Sequence, residues 1–448
     1  MAIHITRRQW LAMMGAIGAA GAPGGKDALA DLASRADAPD GVRVDGSHME
    51  PCTVAEGQVI QPRKILPTIH KTDVVVVGAG PAGVTAALGA SRAGAKVTLV
   101  ERYGHFGGLS TGGLVLIILG HWVTGKKQVC QGIGEEIMRR LDETPYGIVD
   151  RRDGVNPTVD AEALKYVQVE MITEAGIDVF LHSWAVDAIM EEDTIRGVVF
   201  ESKSGKQAIL ADQVIDTTGD GDVFAAAGAQ HERRIYHLGL PYRIGGLDDV
   251  DQKNVTAGRP PRHLGKHTPI PGVNWVNMHG PDADALDVRE LSRLELAHRK
   301  QIWKQVQTLR ATPGYESVYL LETAPQLGVR ISRVLDGMKT LTIEGVKGNR
   351  TFDDCVAIGG AWGGDHQSWQ IPLGAMVPRN VENLLTAGRS LSGEPKMSDL
   401  IRVIPICWVS GHAAGCAAAM AVRDGCRVRA VNIPKLQALL KQQGAYLG

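Results

Sequence analysis

Short aliphatic runs alternate with a small-residue segment between positions 73 and 100. Residues 73–77 read DVVVV, which predicts a short strand buried on both faces of a parallel sheet. Residues 84–92 are rich in alanine and predict a helix, and residues 96–100 predict a second strand. Together they form a predicted β-α-β unit, the building block of parallel sheets.

Two more aliphatic runs predict strands of the same sheet. Residues 211–216 lead into the glycine-containing segment 217–222, and residues 383–387 lead into 388–390. Open α/β sheets bind ligands beyond the carboxyl ends of their strands, so these segments are expected to meet at one site. The predicted fold class is α/β: a Rossmann-type domain with a central parallel sheet, plus an inserted α+β substrate or cap domain.

The chain divides into five predicted parts. They are a signal peptide at 1–30, a linker at 31–70 with little structure of its own, the first part of the Rossmann-type domain at 71–229, the inserted domain at 230–352, and the second part with a C-terminal helix at 353–448. Within the insertion, residues 286–309 carry aliphatic side chains broadly on one side and predict an amphipathic helix.

The C-terminal helix is predicted at residues 401–422, which are almost wholly small or apolar. Gly411 and Gly415 lie four residues apart, a spacing also found in helices that dimerise in membranes. Arg402 near its start and His412 within it favour a buried helix close against the sheet. No membrane span is therefore predicted.

The first thirty residues have the pattern of an export signal. Arg7 and Arg8 precede a weakly apolar run, and Ala28 and Ala30 form a small-residue cleavage pattern. The paired arginines resemble the twin-arginine type, whose passengers cross the membrane already folded. The alternative is a frayed basic N-terminus. The signal implies the twin-arginine export machinery as a partner and a periplasmic or extracellular location.

Composition and charge exclude several classes of protein. The 448 residues have a formal net charge of −1, without the basic excess of a nucleic-acid binder. None of the six cysteines forms a CxxC pair, so no metal site or iron–sulfur cluster is predicted.

The candidate chemistry begins with Gly78, Gly80 and Gly83, which form the GxGxxG pattern directly after the first strand. Such glycines allow a tight turn, close approach of a pyrophosphate, and close packing of helix on strand. Glu101 follows at the end of the second strand, where a carboxylate binds ribose hydroxyls and repels a 2′-phosphate. The unit therefore predicts a dinucleotide other than NADP.

Further glycine-rich segments favour FAD over NAD. They are GGLSTGG at 107–113, TTGDGD at 217–222 and GRS at 388–390. With GAGPAGVTAALGASRAGAKVTLVER at 78–102 and IRVIPICWVSGHAAGCAAAMA at 401–421, the chain resembles the FAD-dependent oxidoreductases that include fumarate-reductase-type flavoproteins. Arg389 departs from the commonest flavoprotein pattern, in which an acid after the glycine binds the ribitol.

The motif and the resemblance together nominate a set of FAD-binding residues. They are Gly78, Gly80, Pro81, Ala82, Gly83, Glu101, Arg102, Gly107, Gly108, Leu109, Ser110, Val186, Thr218, Gly219, Gly388, Arg389, Ile401 and Val403. His105 precedes the second glycine run, near the place where some relatives attach flavin covalently, and non-covalent binding is the preferred interpretation.

Five residues are candidates for the chemistry. Asp365 and His366 form an acid–histidine pair suited to proton transfer. Arg330 and Arg333 are candidates to clamp a carboxylate, or alternatively serve in packing and ion pairs. Arg402 is predicted to add positive charge beside the flavin pyrimidine, with a surface ion pair as the alternative.

The predicted function is an exported FAD-dependent dehydrogenase or reductase that moves a hydride between flavin N5 and a small polar or anionic substrate. Because no second GxGxxG follows, the electron acceptor or donor is left open between oxygen, a quinone and a carrier protein. Two alternatives are a flavin-containing electron-transfer or structural subunit of a larger complex, and a biosynthetic enzyme resembling thiazole synthases. The sequence leaves the oligomeric state open.

Overall fold

The computed structural model describes residues 51–122, 127–152, 154–250, 264–360 and 368–448. The chain forms two compact units, one ending at Ile65 and one spanning Leu66–Gly448. In the first unit, strands β1 (Thr53–Ala55) and β2 (Gln58–Ile60) pair as an antiparallel hairpin. The range predicted as a linker with little structure therefore contains a hairpin, and the next strand also begins inside that range.

The second unit contains the remaining elements. Its strands are β3 (Thr68–Val77), β4 (Val97–Val100), β5 (Ile148–Val149), β6 (Thr158–Val159), β7 (Asp178–Phe180), β8 (Trp184–Glu191), β9 (Thr194–Ser202), β10 (Gly205–Asp216), β11 (His231–Arg233), β12 (Tyr236–His237), β13 (Tyr242–Gly245), β14 (Lys266–His267), β15 (Asn274–Val276), β16 (Asp282–Ala283), β17 (Tyr319–Thr323), β18 (Arg333–Leu335), β19 (Cys355–Gly359), β20 (Trp369–Pro372) and β21 (Leu384–Thr386). Its α-helices are α1 (Pro81–Arg92), α2 (Ile133–Asp142), α3 (Ala161–Glu174), α4 (Asp222–Ala226), α5 (Val288–Arg310), α6 (Ile343–Lys347), α7 (Ser398–Ile401), α8 (Ile404–Asp424) and α9 (Ile433–Gln442).

A seven-stranded sheet forms the centre of this unit. Its order is β7-β4-β3-β10-β9-β8, and β21 pairs with the carboxyl-terminal half of β10. Strands β7, β4, β3, β10 and β21 are parallel, whereas β9 pairs antiparallel with β10 and β8 pairs antiparallel with β9. The loops that follow β3, β4, β10 and β21 therefore leave the same edge of the sheet, as the sequence predicted.

Strand β3 is buried on both faces. Val74 and Val76 pack into the larger apolar core, while Val75 and Val77 pack into a second cluster on the opposite face. Successive side chains of a strand point to opposite sides, so an unbroken valine run is what a doubly covered strand requires. This explains why the run shows no alternation with polar residues.

The inserted region carries its own antiparallel sheet, in the order β14-β15-β13-β17, and the long helix α5. Asp287 caps α5, since its carboxylate accepts hydrogen bonds from the amides of Arg289 and Glu290. The helix therefore begins two residues after the predicted start. These elements belong to the same compact unit as the central sheet.

Helix α8 packs closely against α1. A Cβ on Gly411 would lie 2.1 Å from the carbonyl oxygen of Ala82, and one on Gly415 would lie 2.1 Å from that of Ala86. The Thr85 hydroxyl donates to the Trp408 carbonyl at 2.9 Å across the same contact. The helix predicted to lie against the sheet thus makes its closest approach to another helix, and the two glycines permit that approach.

The structure also divides the predicted helix at 401–422. Helix α7 ends at Ile401, and α8 begins at Ile404 with Val403 as its cap and proline in its first turn. By length and composition α8 is the one helix among the described residues that would suit a membrane span, but its apolar window is wholly buried inside the fold.

Replacing Gly411 with valine is expected to lower the free energy of unfolding by about 3 kcal/mol, because the new side chain overpacks the contact between α8 and α1. Thermal unfolding followed by circular dichroism measures the change. Gly345→Ala is the control, since a Cβ there meets only the side chains of Thr342 and Arg350. An unchanged melting temperature for Gly411→Val would contradict the packing described above.

His412 gives the fold a predictable response to acid. Its ring is buried and bonds to the Gln443 side chain at 2.9 Å, and burial lowers its pKa to about 4. The unfolded chain binds this proton near pH 6.5, so native stability is expected to fall by about 3 kcal/mol between pH 6.5 and 4. Urea unfolding should show a shallower pH dependence for His412→Asn than for the wild type; parallel curves would refute the assignment.

Candidate active site

One cavity of about 620 Å³ lies at the carboxyl edge of the parallel strands. Residues that follow β3, β4, β10 and β21 line it, among them Gly78, Glu101, Thr218 and Gly388. Residues from the inserted region and from the start of α8 complete the wall. The segments that the sequence analysis nominated as one site therefore surround one space.

The three glycines of the first loop have different surroundings. A Cβ on Gly78, where φ is +94°, would lie 2.6 Å from the Thr217 carbonyl oxygen. A Cβ on Gly83 would lie 1.7 Å from the Gly78 carbonyl oxygen. A Cβ on Gly80 would meet no protein atom within 4 Å, so the space before it belongs to the cavity. This is the open cradle that a pyrophosphate needs at the start of α1.

Glu101 is held rigidly at the end of β4. Its carboxylate accepts hydrogen bonds from the amides of Ala79 at 2.6 Å and Tyr103 at 2.9 Å. Burial raises the pKa of Glu101, and these two hydrogen bonds oppose that shift. The carboxylate lines the cavity beside the glycine loop, where its remaining lone pairs suit ribose hydroxyls.

The loop after β10 is fastened by Asp216. Its carboxylate accepts from the amide and hydroxyl of Thr218 and from the amides of Val223 and Phe224, at 2.7 to 3.0 Å. Burial raises the pKa of Asp216 to about 6. Thr217 donates to the carbonyls of Val77 and Gly78, so this loop and the glycine loop are joined directly.

Arg389 contacts an acidic residue from a different strand end. Its guanidinium bonds to the Asp220 carboxylate at 2.8 Å, and Ser332 also donates to that carboxylate at 2.6 Å. Burial alone would raise the pKa of Asp220, but Arg389, Arg102 and the Ser332 hydroxyl lower it. The acid that the sequence lacks after Gly388 is thus present nearby as Asp220. The Nη1 atom of Arg389 is buried without a hydrogen-bond partner, although the residue lines the cavity, so it suits a ligand oxygen.

Arg102 lines the cavity between two aromatic rings. Its guanidinium carbon lies 4.9 Å from the Tyr103 ring centre and 5.0 Å from that of Trp184. The aromatic rings contact the planar faces of the guanidinium, and its N–H groups, which point outward in the plane, are left to bind phosphate or adenine groups. Arg102, Arg389, Glu101 and the cradle at Gly80 together fit FAD.

Most of the nominated cofactor residues line the cavity. They are Gly78, Gly80, Pro81, Ala82, Glu101, Arg102, Gly108, Leu109, Thr218, Gly219, Gly388, Arg389 and Val403.

The others lie behind the wall or beside it. The Gly107 amide donates to the Ala79 carbonyl at 2.7 Å, and the Ser110 hydroxyl donates to the Gly107 carbonyl at 2.7 Å. Gly83 packs against Gly78, and Ile401 is fully buried. These residues support the loops that form the site.

Val186 is not among the residues that line the cavity, and its role in cofactor binding stays a prediction. It lies on β8 with 42% of its surface exposed, whereas Trp184 and Ala185 line the cavity. The position of Trp184 depends on how β8 begins after the turn at residues 181–183, which no local motif specifies.

The candidate catalytic arginines separate into different roles. Arg333 bonds to the Asp220 carbonyl and the Asp222 carboxylate, both at 2.9 Å, and so braces the loop after β10. Arg402 is paired with Asp399 at 2.5 Å, the alternative that the sequence left open, and still lines the cavity. Arg330 lines the cavity with Asn277 and His279.

Of the predicted acid–histidine pair and His105, the structure describes only His105. Asp365 and His366 lie outside the described residues, and their proton-transfer role stays a prediction. His105 stacks on Tyr103, with ring centres 5.5 Å apart, and does not line the cavity. Asn277 was missed by the sequence analysis, because its place beside Arg330 results from antiparallel pairing in the inserted sheet.

Gly80→Val and Gly83→Ala are expected to separate cofactor binding from folding. Valine at position 80 fills the cradle, so FAD content should fall at least tenfold while the melting temperature of the FAD-free protein stays within about 2 °C of the wild type. Alanine at position 83 collides with backbone and should lower that melting temperature. Flavin absorbance per protein and thermal unfolding measure both. Full FAD content in Gly80→Val would place the cofactor elsewhere.

Comparisons with known proteins agree with this geometry. The sequence model of the family described as FAD dependent oxidoreductase matches residues 73–233 and 249–440. A thiamine thiazole synthase of Methanococcus maripaludis is 33% identical over 159 residues, which cover 33% of this chain and 56% of that protein. Digeranylgeranylglycerophospholipid reductase 2 of Methanopyrus kandleri is 33% identical over 154 residues, covering 33% of this chain and 37% of that protein. The chain spans about half the length, or less, of these curated relatives.

Solved structures give more distant likenesses. A p-nitrophenol 4-monooxygenase from Pseudomonas putida has a TM-score of 0.48 and 11% identity, with 83% of this chain and 84% of that chain covered. A geranylgeranyl bacteriochlorophyll reductase-like protein from Thermoplasma acidophilum has a TM-score of 0.46 and 14% identity, with 84% of each chain covered. The family match covers most of the chain, and the cavity that it includes fits the cofactor. The chain belongs to the family of FAD-dependent oxidoreductases, and it is an enzyme with FAD as its cofactor.

Proposed function

We propose that this protein is an exported dehydrogenase or reductase that transfers a hydride between FAD and a small anionic substrate. FAD supplies a ring that accepts or gives the hydride at N5, and the protein supplies position and charge. The observation that carries the proposal is the position of Arg330 in the same cavity as the dinucleotide cradle.

Arg330 is a partly buried cation that forms no ion pair with any residue the structure describes. Its guanidinium bonds to the His237 carbonyl at 3.1 Å and to the Asn277 side chain at 3.4 Å. No carboxylate of the described residues lies within 4 Å of it, whereas Arg333, Arg389 and Arg402 each have one. Burial, together with the charge of Arg402, lowers the pKa of Arg330 to about 10, so it is still charged at neutral pH. A substrate carboxylate or phosphate would complete this pair.

Of the two histidines near Arg330, His279 lines the cavity, and it adds hydrogen-bonding capacity without charge at neutral pH. The rings of His237 and His279 lie 5.5 Å apart. Burial lowers both pKa values, and the charges of Arg330 and Arg402 lower them further. Neutral imidazoles donate or accept one hydrogen bond through each ring nitrogen, which suits an oxygen-bearing substrate.

The start of α8 favours negative charge on the cofactor side of the cavity. Val403, Ile404 and Arg402 all line the wall there. The amino terminus of a 21-residue helix carries a partial positive charge, and Arg402 adds a full charge that Asp399 partly offsets. These groups would stabilise an electron-rich cofactor without direct participation in proton transfer.

A thiazole-synthase-like activity is the second candidate, favoured by the identity to the archaeal thiazole synthase over a third of this chain. An electron-transfer or structural subunit of a larger complex is the third. Denaturation and chromatography of the released cofactor identify the dinucleotide, and bleaching of the flavin by a substrate in isolated protein argues against a purely structural role.

Anaerobic mixing of the FAD-loaded protein with hydroxy acids, unsaturated acids, amines and sugars tests the proposal. We expect an acid to change the flavin absorbance, and Arg330→Met to weaken its binding about 10- to 100-fold through loss of a charge-assisted hydrogen bond. Arg293→Met, which removes an exposed helix arginine, is the matched control. Equal response to neutral and anionic compounds, unchanged in Arg330→Met, would reject the anionic substrate.

We also propose that the protein is exported through the twin-arginine route. The cysteines are all free in the described part of the chain, which fits folding in a reducing compartment before export. Replacing Arg7 and Arg8 with lysine is expected to leave the folded, FAD-loaded protein in the cytoplasm. Cell fractionation and immunoblotting measure its location, with Arg43→Lys as the control. Normal export of the double variant would reject this route.

A further inference from the structure

An aliphatic strip lies along one wall of the cavity. Residues 116–118 run antiparallel to residues 157–159, with hydrogen bonds from Ile118 to Pro157 and from Val159 to Leu116 at 2.9 Å. Extended backbone turns alternate side chains to opposite sides. Leu116 and Ile118 are therefore fully buried in the core, and Val115, Ile117 and Leu119 face the cavity.

The three cavity-facing side chains are only partly buried. With a rise of about 3.3 Å per residue, the strip formed by Val115, Ile117 and Leu119 is about 13 Å long. Apolar surface of this length, exposed within a cavity, gains stability when a ligand covers it.

The inserted region adds more apolar surface to the same cavity. Its aliphatic contributors are Leu286, Leu291, Leu327 and Val329. Glu295 in this part of the wall is already engaged, since it accepts hydrogen bonds from the Leu327 amide at 2.7 Å and from Arg299 at 2.9 Å. Arg330, next in sequence to Val329, is the charged group of this part of the wall that has no carboxylate partner among the described residues.

We infer that the substrate is amphipathic: an anionic head group that pairs with Arg330, attached to an aliphatic chain or other apolar body that covers the strip. The inference rests on the proposed function, which supplies the anionic head, and adds the apolar body. A compact polar acid would satisfy Arg330 and leave the strip in contact with water.

Titration calorimetry of the FAD-loaded protein with straight-chain carboxylates from four to ten carbons tests the inference. Each added methylene is expected to tighten binding about fourfold, the factor that corresponds to burying one methylene group. Primary alcohols of the same lengths should show the same gain in affinity per methylene. At each length they should bind about 10- to 100-fold more weakly than the acid, because they lack the charge that pairs with Arg330.

Two variants separate the head from the chain. Arg330→Met should remove the difference in affinity between acids and alcohols and leave the gain in affinity per methylene unchanged. Ile117→Thr should reduce the gain in affinity per methylene and keep the difference in affinity between acids and alcohols. Val288→Thr replaces an exposed aliphatic residue outside the cavity and should change neither quantity.

The two proposals fail in different ways. If the affinity of the wild type does not change with chain length, the ligand does not cover the strip. That result overturns the amphipathic substrate. Acids that bind no better than alcohols overturn the anionic head and with it the proposed function.

Discussion

The junction between the end of β10 and the glycine loop after β3 is the constraint on which the active site depends. Thr217 donates to two successive carbonyls of that loop, Gly83 packs within contact of Gly78, and Gly78 adopts a positive φ that lets the loop turn. Because these contacts fix the loop from behind, its free face at Gly80 opens into the cavity. Cofactor binding is therefore prepared by backbone contacts that the cofactor itself does not make.

Helix α8 depends on the same region. Its glycines approach the carbonyls of Ala82 and Ala86 on α1, the helix that begins at the cradle. The position of α8 brings Arg402, Val403 and Ile404 to the wall of the same cavity. A larger residue at either glycine would move the charge at the start of α8 relative to the cradle.

The arginines divide the cavity into regions of different chemistry. Arg389 and Arg333 are neutralised by Asp220 and Asp222 and hold loops together. Arg102 is held between aromatic rings on the side of Glu101, and Arg330 lies beside Asn277 with no carboxylate of the described part of the chain within 4 Å. A guanidinium that is partly buried and unpaired costs free energy in the empty protein, and a bound anion offsets that cost. Such residues therefore mark where ligands carry negative charge.

The sequence by itself determined the β-α-β unit, the glycines, Glu101 and the convergence of the strand ends, because these follow from local periodicity and from the rule that parallel strands share one carboxyl edge. It also determined that residues 401–422 are helical and buried, apart from the break at Arg402. The tertiary structure decided the rest: that α8 lies on α1, that Trp184 lines the cavity, that Arg333 pairs with Asp222, and that Arg330 has no carboxylate partner among the described residues. These outcomes depend on which side chains from distant segments meet across the fold, and no local pattern encodes the distance between an arginine and a carboxylate a hundred residues away.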